Sequence, residues 1–284
     1  MVRDAPKKNE MTPGLYLVAT PIGNLRDITL RALDILEGAD LVLCEDTRVG
    51  GKLLAAHGLE AKLERYDEHA AERARPKVLA RLAAGGRIAL ISDAGTPLVS
   101  DPGYRLVREA VAAGIAVTAI PGASALLAAL TVAGLPTDRF LFAGFPPPKS
   151  AGRRALFAEL APIRATLIFY EGGSRLAASL GDMAAVFGPR EAAVARELTK
   201  LHETVVRGCL TDLAADPAFT APKGEIVVLV GPGAQRAATP AEAEAALVEA
   251  LGRASPAEAA SEVAKALGLS RRELYARAIA LKAG

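Results

Sequence analysis

The sequence predicts an α/β protein of two domains followed by a small helical unit, and three observations predict it. Short apolar runs alternate with amphipathic stretches through the first half of the 284-residue chain; strand-like runs then crowd together with fewer helices between them; from Thr239 onward only helical patterns remain. Length agrees, because single hydrophobic cores stop growing beyond about 250–300 residues. The composition, 51% hydrophobic and 23% charged, is globular rather than disordered.

In order, LYLVAT (15–20) reads as a strand, 29–39 as a helix, LVLCED (41–46) as a strand, 68–84 as a helix, RIALISD (87–93) as a strand, 104–113 as a helix and IAVTAI (115–120) as a strand. These strands are apolar throughout instead of alternating, which implies a sheet covered by helices on both faces. Residues 115–136 carry no charge, and about 20 apolar residues can span a bilayer. Pro121-Gly122 divides them, however, so a buried strand, turn and helix ending at Gly134 are predicted, with no membrane span. Strands follow at 140–145, 166–171, 192–198, 203–208 and 225–231, with helices only at 150–160 and 174–187. Strands 192–198 and 203–208 are placed to pair as a hairpin, giving a mixed sheet.

The expected domains are 13–121, 122–236 and 237–284, the last reached through the linker-like GPGAQRAATP (231–240). In 255–281, Ser255-Pro256 and Ser270 are helix starts and Gly268-Leu269 the turn between them, a helix-turn-helix pattern. Arg271, Arg272, Arg277 and Lys282 against Glu273 make its second helix basic. A plain helical hairpin capping the protein or a dimer fits the same pattern.

Several chemistries are excluded. A net charge of +2 leaves partners to local patches. Cys44 and Cys209 lie far apart, Cys44 inside an apolar run, so no disulfide is expected. The N-terminus MVRDAPKKNEMTPG lacks an apolar signal core, which points to the cytoplasm. Gly51-Lys52 is not a phosphate loop, since Asp46 stands where the first glycine belongs and Leu53 where the hydroxyl belongs. No Gly-x-Gly-x-x-Gly follows a strand and no Gly-x-Ser-x-Gly occurs. His57, His69 and His202 lack zinc spacing, so no metal is expected.

Three stretches share a design in which a buried strand ends and turn-forming residues precede a helix: VATPIGNLRDIT (18–29), ISDAGTPLVSDPG (91–103) and AIPGASA (119–125). Ligands of open α/β sheets bind beyond the carboxyl ends of strands, where helix N-termini expose free N–H groups. Gly23, Gly95, Gly103 and Gly122 would let backbone approach a ligand, while Asp93, Thr96, Ser100, Asp101 and Ser124 offer hydrogen bonds. Tight turns and caps explain each residue singly; the coincidence of three such loops points to one pocket.

TPIGNLRDIT, EDTR, ISDAGTPLVSDPG, PGAS, GLPTDRFLFAGF, FYE, ARELTK and the KGE at 223–225 resemble, in order and spacing, the tetrapyrrole-methylase-like (class III) S-adenosylmethionine methyltransferases. Within them the chain is most similar to the bacterial 16S ribosomal RNA cytidine 2′-O-methyltransferases, from about residue 15 to the C-terminus. The resemblance implies two α/β domains of the tetrapyrrole methylase type, with S-adenosylmethionine in the cleft between them, in a homodimer. Its implied substrate is cytidine 1402 (in the usual rRNA numbering) of the small ribosomal subunit. Carried onto matching positions, the cofactor residues are Pro21, Ile22, Gly23 and Asn24; Asp93, Ala94, Gly95, Thr96, Pro97 and Ser100; and Pro121, Gly122, Ala123 and Ser124. Ala143, Phe169, Tyr170, Glu171 and Leu198 would close the site from the second domain. After FYE the chain departs from the family, with Gly172-Gly173-Ser174 before Arg175 where members often carry Ser, Thr or His.

A ribose 2′-hydroxyl is a poor nucleophile that a positioned base would help, and no metal is required. EDTR places Asp46 or Glu45 near the acceptor with Arg48 on phosphate, Lys200 being the reserve base; an Arg–carboxylate pair that only fixes the loop explains the motif equally. Lys149, Arg153, Arg154 and Arg164 form a basic stretch which, with Arg271 and Arg272, would meet RNA; a solvated helix face is the competing explanation. Two other functions remain open: methylation of a corrin or porphyrin intermediate, and non-catalytic RNA binding on the same fold.

Overall fold

Five short strands form one all-parallel sheet: β1 (Gly14–Val18), β2 (Leu41–Cys44), β3 (Leu63–Arg65), β4 (Arg87–Ile91) and β5 (Val117–Ile120), ordered β3-β2-β4-β1-β5. The computed structural model describes residues 11–233 and 239–283. Parallel strands need crossovers, supplied by α1 (Leu30–Gly38), α2 (Thr47–Ala56), α3 (Glu68–Ala83) and α4 (Tyr104–Ala112). Leu15, Leu43, Ile88 and Leu90 pack with Leu82 and Leu106 in one cluster, and Val18, Val42, Ala89 and Ile91 with Ile35, Leu36 and Leu54 in another. Neighbouring strand residues point to opposite faces, so a sheet covered on both sides reads as a continuous apolar run. Parallel pairing also sends every strand's carboxyl end to the same edge. The segments 19–24, 45–46, 92–103 and 121–124 all leave the sheet there.

The second sheet is mixed. Its strands β6 (Phe140–Phe142), β7 (Thr166–Gly172), β8 (Glu191–Arg196), β9 (Thr204–Cys209) and β10 (Glu225–Val230) are ordered β6-β7-β10-β8-β9, with β6 and β7 parallel and the other pairs antiparallel. One face packs on α6 (Ser150–Leu160), α7 (Leu176–Phe187) and α8 (Leu210–Ala215) through Phe157, Phe169, Leu180 and Phe187. The other packs on α5 (Ala125–Val132), where Leu126, Ala129 and Leu130 meet Ile168, Ala193, Ala195 and Leu229. Ile22, from the loop after β1, joins this second core. α6 and α7 are tied by the buried pair Arg153–Asp182 at 2.7 Å.

Sequence patterns missed two elements of the first sheet. α2 has Gly50 and Gly51 inside it, which lowers helix propensity. A Cβ on Gly50 would stand 3.4 Å from Cys44 Sγ, an ordinary contact distance, so α2 packs on β2 here without needing a glycine. β3 is three partly exposed residues, too short to show a period. The uncharged stretch 115–136 divides into β5 and α5 as its Pro-Gly suggested, and no helix among the described residues is long and apolar enough to cross a membrane. Both cysteines are free thiols; burial, above all, pushes Cys44 up to about 11.

Chain contacts divide the protein into two units, before and after Pro232–Gly233. The smaller holds α9 (Pro240–Leu251), α10 (Pro256–Leu267) and α11 (Arg271–Ala283). Thr239 with Glu242 and Ser255 with Glu258 form capping boxes, and Gly268 ends α10 in the left-handed conformation (φ 67°). The α10–turn–α11 pair does not stand alone. Leu247 and Ala250 of α9 share a core with Ala260, Val263, Leu274 and Ala278, and Arg277 pairs with Glu244 of α9 at 2.7 Å. The expected boundary at 236/237 and the first ten residues lie outside the described residues.

The two glycines at the end of β7 give a test. A Cβ on Gly173 would fall 1.6 Å from the carbonyl oxygen of Pro222, whereas one on Gly172 would meet nothing within 4 Å. Gly173→Ala therefore forces the 222–224 loop away from β7 and should cost about 1–3 kcal/mol or more in urea unfolding. Gly172→Ala, at φ −88°, should stay within about 0.5 kcal/mol of the parent.

Candidate active site

The loops leaving β1, β4 and β5 are bonded to one another. Thr20 N–H donates to the Gly95 carbonyl (2.8 Å), Gly95 N–H donates back to Thr20 (3.0 Å), and Thr96 Oγ1 donates to the Ala123 carbonyl (3.1 Å). Gly95 sits at φ +80°, and Leu98 and Ser100 share positive φ although they carry side chains. Such strain is held only where the surroundings over-determine it, and it clusters at functional sites.

A second strained segment faces the first. Glu197 (φ 52°) and Thr199 (φ 67°) flank buried Leu198. Thr199 Oγ1 accepts the Asn24 N–H at 3.1 Å, and a Cβ on Gly23 would collide with Lys200 Cγ at 2.5 Å. Only glycine lets the loop after β1 lie this close. Gly224 (φ +103°) serves likewise on the other side, since its Cβ would lie 2.4 Å from Glu197 Cδ. Lys200 Nζ bridges Glu197 (2.8 Å) and Glu225 (3.1 Å), closing the arrangement.

Between these segments lies a cavity of about 360 Å³, within the usual small-molecule range. Ile22, Val99, Leu198, Ile226 and Val227 give it apolar surface; Glu45, Asp93, Asp101, Ser100 and Ser124 give polar groups. Among the described residues no hydrogen bond reaches the buried Oε1 of Glu45, while its carboxyl meets that of Asp101 and the Asp93 backbone. Burial first, then the carboxylates of Asp101 and Asp93, push Glu45 up to about 7. Burial raises Asp101 as well, against a hydrogen bond from Ser92. A carboxyl group poised near neutrality in a cavity is able to give or take a proton.

The three candidate bases separate. Asp46 caps α2, accepting the Arg48 N–H at 2.8 Å, and its carboxylate is gripped by the Arg48 guanidinium, which holds it far below the usual range. Asp46 does not border the cavity; its N–H donates to Asp93 Oδ1 at 3.1 Å. Burial lowers Lys200, but the hydrogen bonds it donates to Glu197 and Glu225 outweigh that and raise it, so it stays a cation; it too lies outside the lining. Glu45 alone of the three lines the cavity.

Of the expected cofactor residues, Ile22, Asp93, Ala94, Gly95, Thr96, Ser100, Ser124, Tyr170, Glu171 and Leu198 border the cavity. Pro21, Gly23, Asn24, Pro97, Pro121, Gly122 and Ala123 form the frame behind it; a Cβ on Gly122 would meet Ala19 Cβ at 2.9 Å. Phe169 and Ala143 lie off the lining. Alternation along β7 turns Phe169 away from Tyr170, into the core with Phe157 and Phe187, and Ala143 packs against that same core. The Glu171 carboxylate also points that way, bound by Ser179 Oγ and by Arg175 at 3.2 Å. Asp101, already named for its hydrogen-bonding carboxyl, lines the cavity, and Val99, Phe145, Gly224, Glu225 and Ala195 join it unforeseen. Of these five only Val99 lay in a loop already singled out by composition.

Among expected RNA-binding residues, Arg48, Lys149, Arg154, Arg271 and Arg272 are exposed. Arg153 is not: 5% exposed, it is spent on Asp182 and on the Pro148 carbonyl at 2.8 Å. Position i+3 from Ser150 turned it inward while Arg154 turned out, a distinction that charge content does not carry. No cluster among the described residues has the make-up of a metal site.

A family model described as Tetrapyrrole (Corrin/Porphyrin) Methylases matches residues 14–214, and one described as RsmI C-terminal HTH domain matches 237–282. The chain is 53% identical to a protein of Mesorhizobium japonicum named ribosomal RNA small subunit methyltransferase I, over 96% of this chain and 93% of that one. It is 54% identical to one of the same name from Erythrobacter litoralis, covering 96% of each. Among solved structures, that of the methyltransferase CobJ shares the fold, with a TM-score of 0.60 at 21% identity over 80% of this chain and 97% of that one. By this coverage and identity, the chain belongs to the ribosomal RNA small subunit methyltransferase I family, built on the tetrapyrrole methylase fold.

Proposed function

We propose that this protein transfers a methyl group from S-adenosylmethionine to the 2′-hydroxyl of cytidine 1402 in 16S ribosomal RNA of the small subunit. The observation that carries the reading is the Glu45 carboxyl, its Oε1 buried, beside Asp93 and Asp101 in a ligand-sized cavity, in a chain 53–54% identical to small-subunit rRNA methyltransferases.

The residues present fit the cofactor. Ile22, Val99 and Leu198 offer apolar surface for a nucleoside, and Asp93 and Asp101 offer negative charge for a cationic ligand. When bound, S-adenosylmethionine supplies an electrophilic methyl group on a sulfonium whose positive charge is lost on transfer. Glu45, as carboxylate, takes the proton of the acceptor hydroxyl on Oε1; Asp46 and Arg48 hold the start of α2, and Lys200 holds the segment around Leu198. Exposed Arg48, Lys149, Arg154, Arg271 and Arg272 meet phosphates. We read residues 13–121 and 122–236 as the two domains bounding the cleft and 237–284 as the tail, and the protein as a cytoplasmic homodimer. Exposed Leu127 and Val132 on α5 supply apolar surface for self-association.

The deciding test is incubation with labelled S-adenosylmethionine and small subunits lacking the modification, followed by mapping of the label. Label on a corrin or porphyrin but not on RNA would overturn the reading, and a protein that binds RNA without transferring label would be a binding module. Asp93→Ala should weaken S-adenosylmethionine about 10–100-fold by calorimetry, and Asp93→Asn, which keeps an acceptor for the Asp46 N–H, should lose charge attraction only.

Glu45 sets the pH dependence. Its active form is the carboxylate, so kcat/KM should rise with pH up to about 7 and level off above. Glu45→Gln should remove that inflection and slow transfer by roughly 10²–10⁴-fold. Stability has the opposite sense: a folded value raised from 4.5 to about 7 means the folded state binds the extra proton between them. Stability should therefore fall as pH rises across that window, and Glu45→Gln should unfold later than the parent at pH above about 7.

A further inference from the structure

We propose that Phe145 is the platform on which the base of the methylated nucleotide stacks, making it a specificity-determining residue; this rests on the RNA reading above. Phe145 lines the cavity yet is 57% exposed, so it stands at the rim with ring surface uncovered. Its inner side is braced. The Tyr170 ring meets it edge-to-face at 5.5 Å, Phe142 meets Tyr170 at 4.7 Å, and Tyr170 Oη accepts the Leu126 N–H at 3.2 Å.

The loop carrying Phe145 is fixed from behind. Pro146, Pro147 and Pro148 follow it, each with restricted φ and no N–H of its own. Arg175 donates to the Pro146 and Pro147 carbonyls, and Arg153 to Pro148. Both guanidiniums are themselves anchored, Arg175 on Glu171 and Arg153 on Asp182. An exposed aromatic on an immobilised loop loses little freedom when a flat ligand settles on it, which favours binding. Exposed Lys149 and Arg154 follow the same loop, so cations for the flanking phosphates accompany the ring.

A ribose that reaches Glu45 brings its base with it. Single-stranded RNA is recognised by bases splayed out and stacked on aromatic side chains. The adenine of the methyl donor is the competing occupant of the Phe145 face, and the experiment separates them.

The parent, Phe145→Ala, Phe145→Leu and Phe145→Trp are compared by KM for unmodified small subunits and by S-adenosylmethionine binding without RNA. Phe145→Ala should raise KM for the subunit about tenfold to a hundredfold, with cofactor binding unchanged, which also reports an intact fold. Phe145→Leu should behave like Ala and Phe145→Trp like the parent, because a ring face and not apolar bulk is required. A loss of cofactor affinity with unchanged KM for the subunit, or a leucine variant equal to the parent, would overturn the proposal alone. A parent that transfers no label to the subunit removes the RNA reading, and this proposal with it.

Discussion

Thr20 and Gly95 exchange two backbone hydrogen bonds at the edge where the parallel sheet ends, and the cavity depends on that exchange. It joins the loop after β1 to the loop after β4, and Thr96 passes the connection on to Ala123 after β5. Loops at strand ends are ordinarily the most mobile part of an α/β fold. Here they are cross-linked into one surface, and the positive φ values at Leu98 and Ser100 are the local cost of that geometry.

The facing side is assembled by steric means. Gly23 and Gly224 lack the Cβ atoms that would strike Lys200 and Glu197, so the loop after β1 and the start of β10 both close on the Glu197–Leu198–Thr199 segment. Gly173, with no room beside the Pro222 carbonyl, sets where that start of β10 begins. Leu198 is thereby pressed toward the cavity while Lys200 neutralises the two carboxylates around it. The cation's place is architectural: two anionic partners keep it charged, the reverse of what a general base needs.

Electrostatics divides the adjacent acids Glu45 and Asp46 into different roles. Asp46 spends its charge on Arg48 and the first turn of α2. Glu45, one residue earlier, lies among Asp93 and Asp101 with little solvent, so its charged form is disfavoured. Adjacent residues on an extended segment point in opposite directions, and that alternation separates a cap from a candidate base.

By itself the sequence determined the α/β class, the two kinds of sheet, the helical tail and the three loops that frame the site, because each is written in local terms. Continuous apolar runs announce a doubly covered sheet, and Gly, Pro, Ser and Asp after such runs announce its functional edge. Motifs such as SDAGTP and ARELTK also carried the family. The tertiary structure alone decided which side chain of each motif faces inward. Phe169 and Tyr170 are neighbours in FYE, yet one joins the core and the other the cavity; Arg153 and Arg154 are neighbours in one helix, yet one is a buried clamp and the other exposed. Asp101, Phe145 and Glu225 reach one cavity from distant segments of the chain. Their meeting, like the raised proton affinity of Glu45, follows from packing between the sheets, and no spacing within the sequence encodes a distance across a cleft.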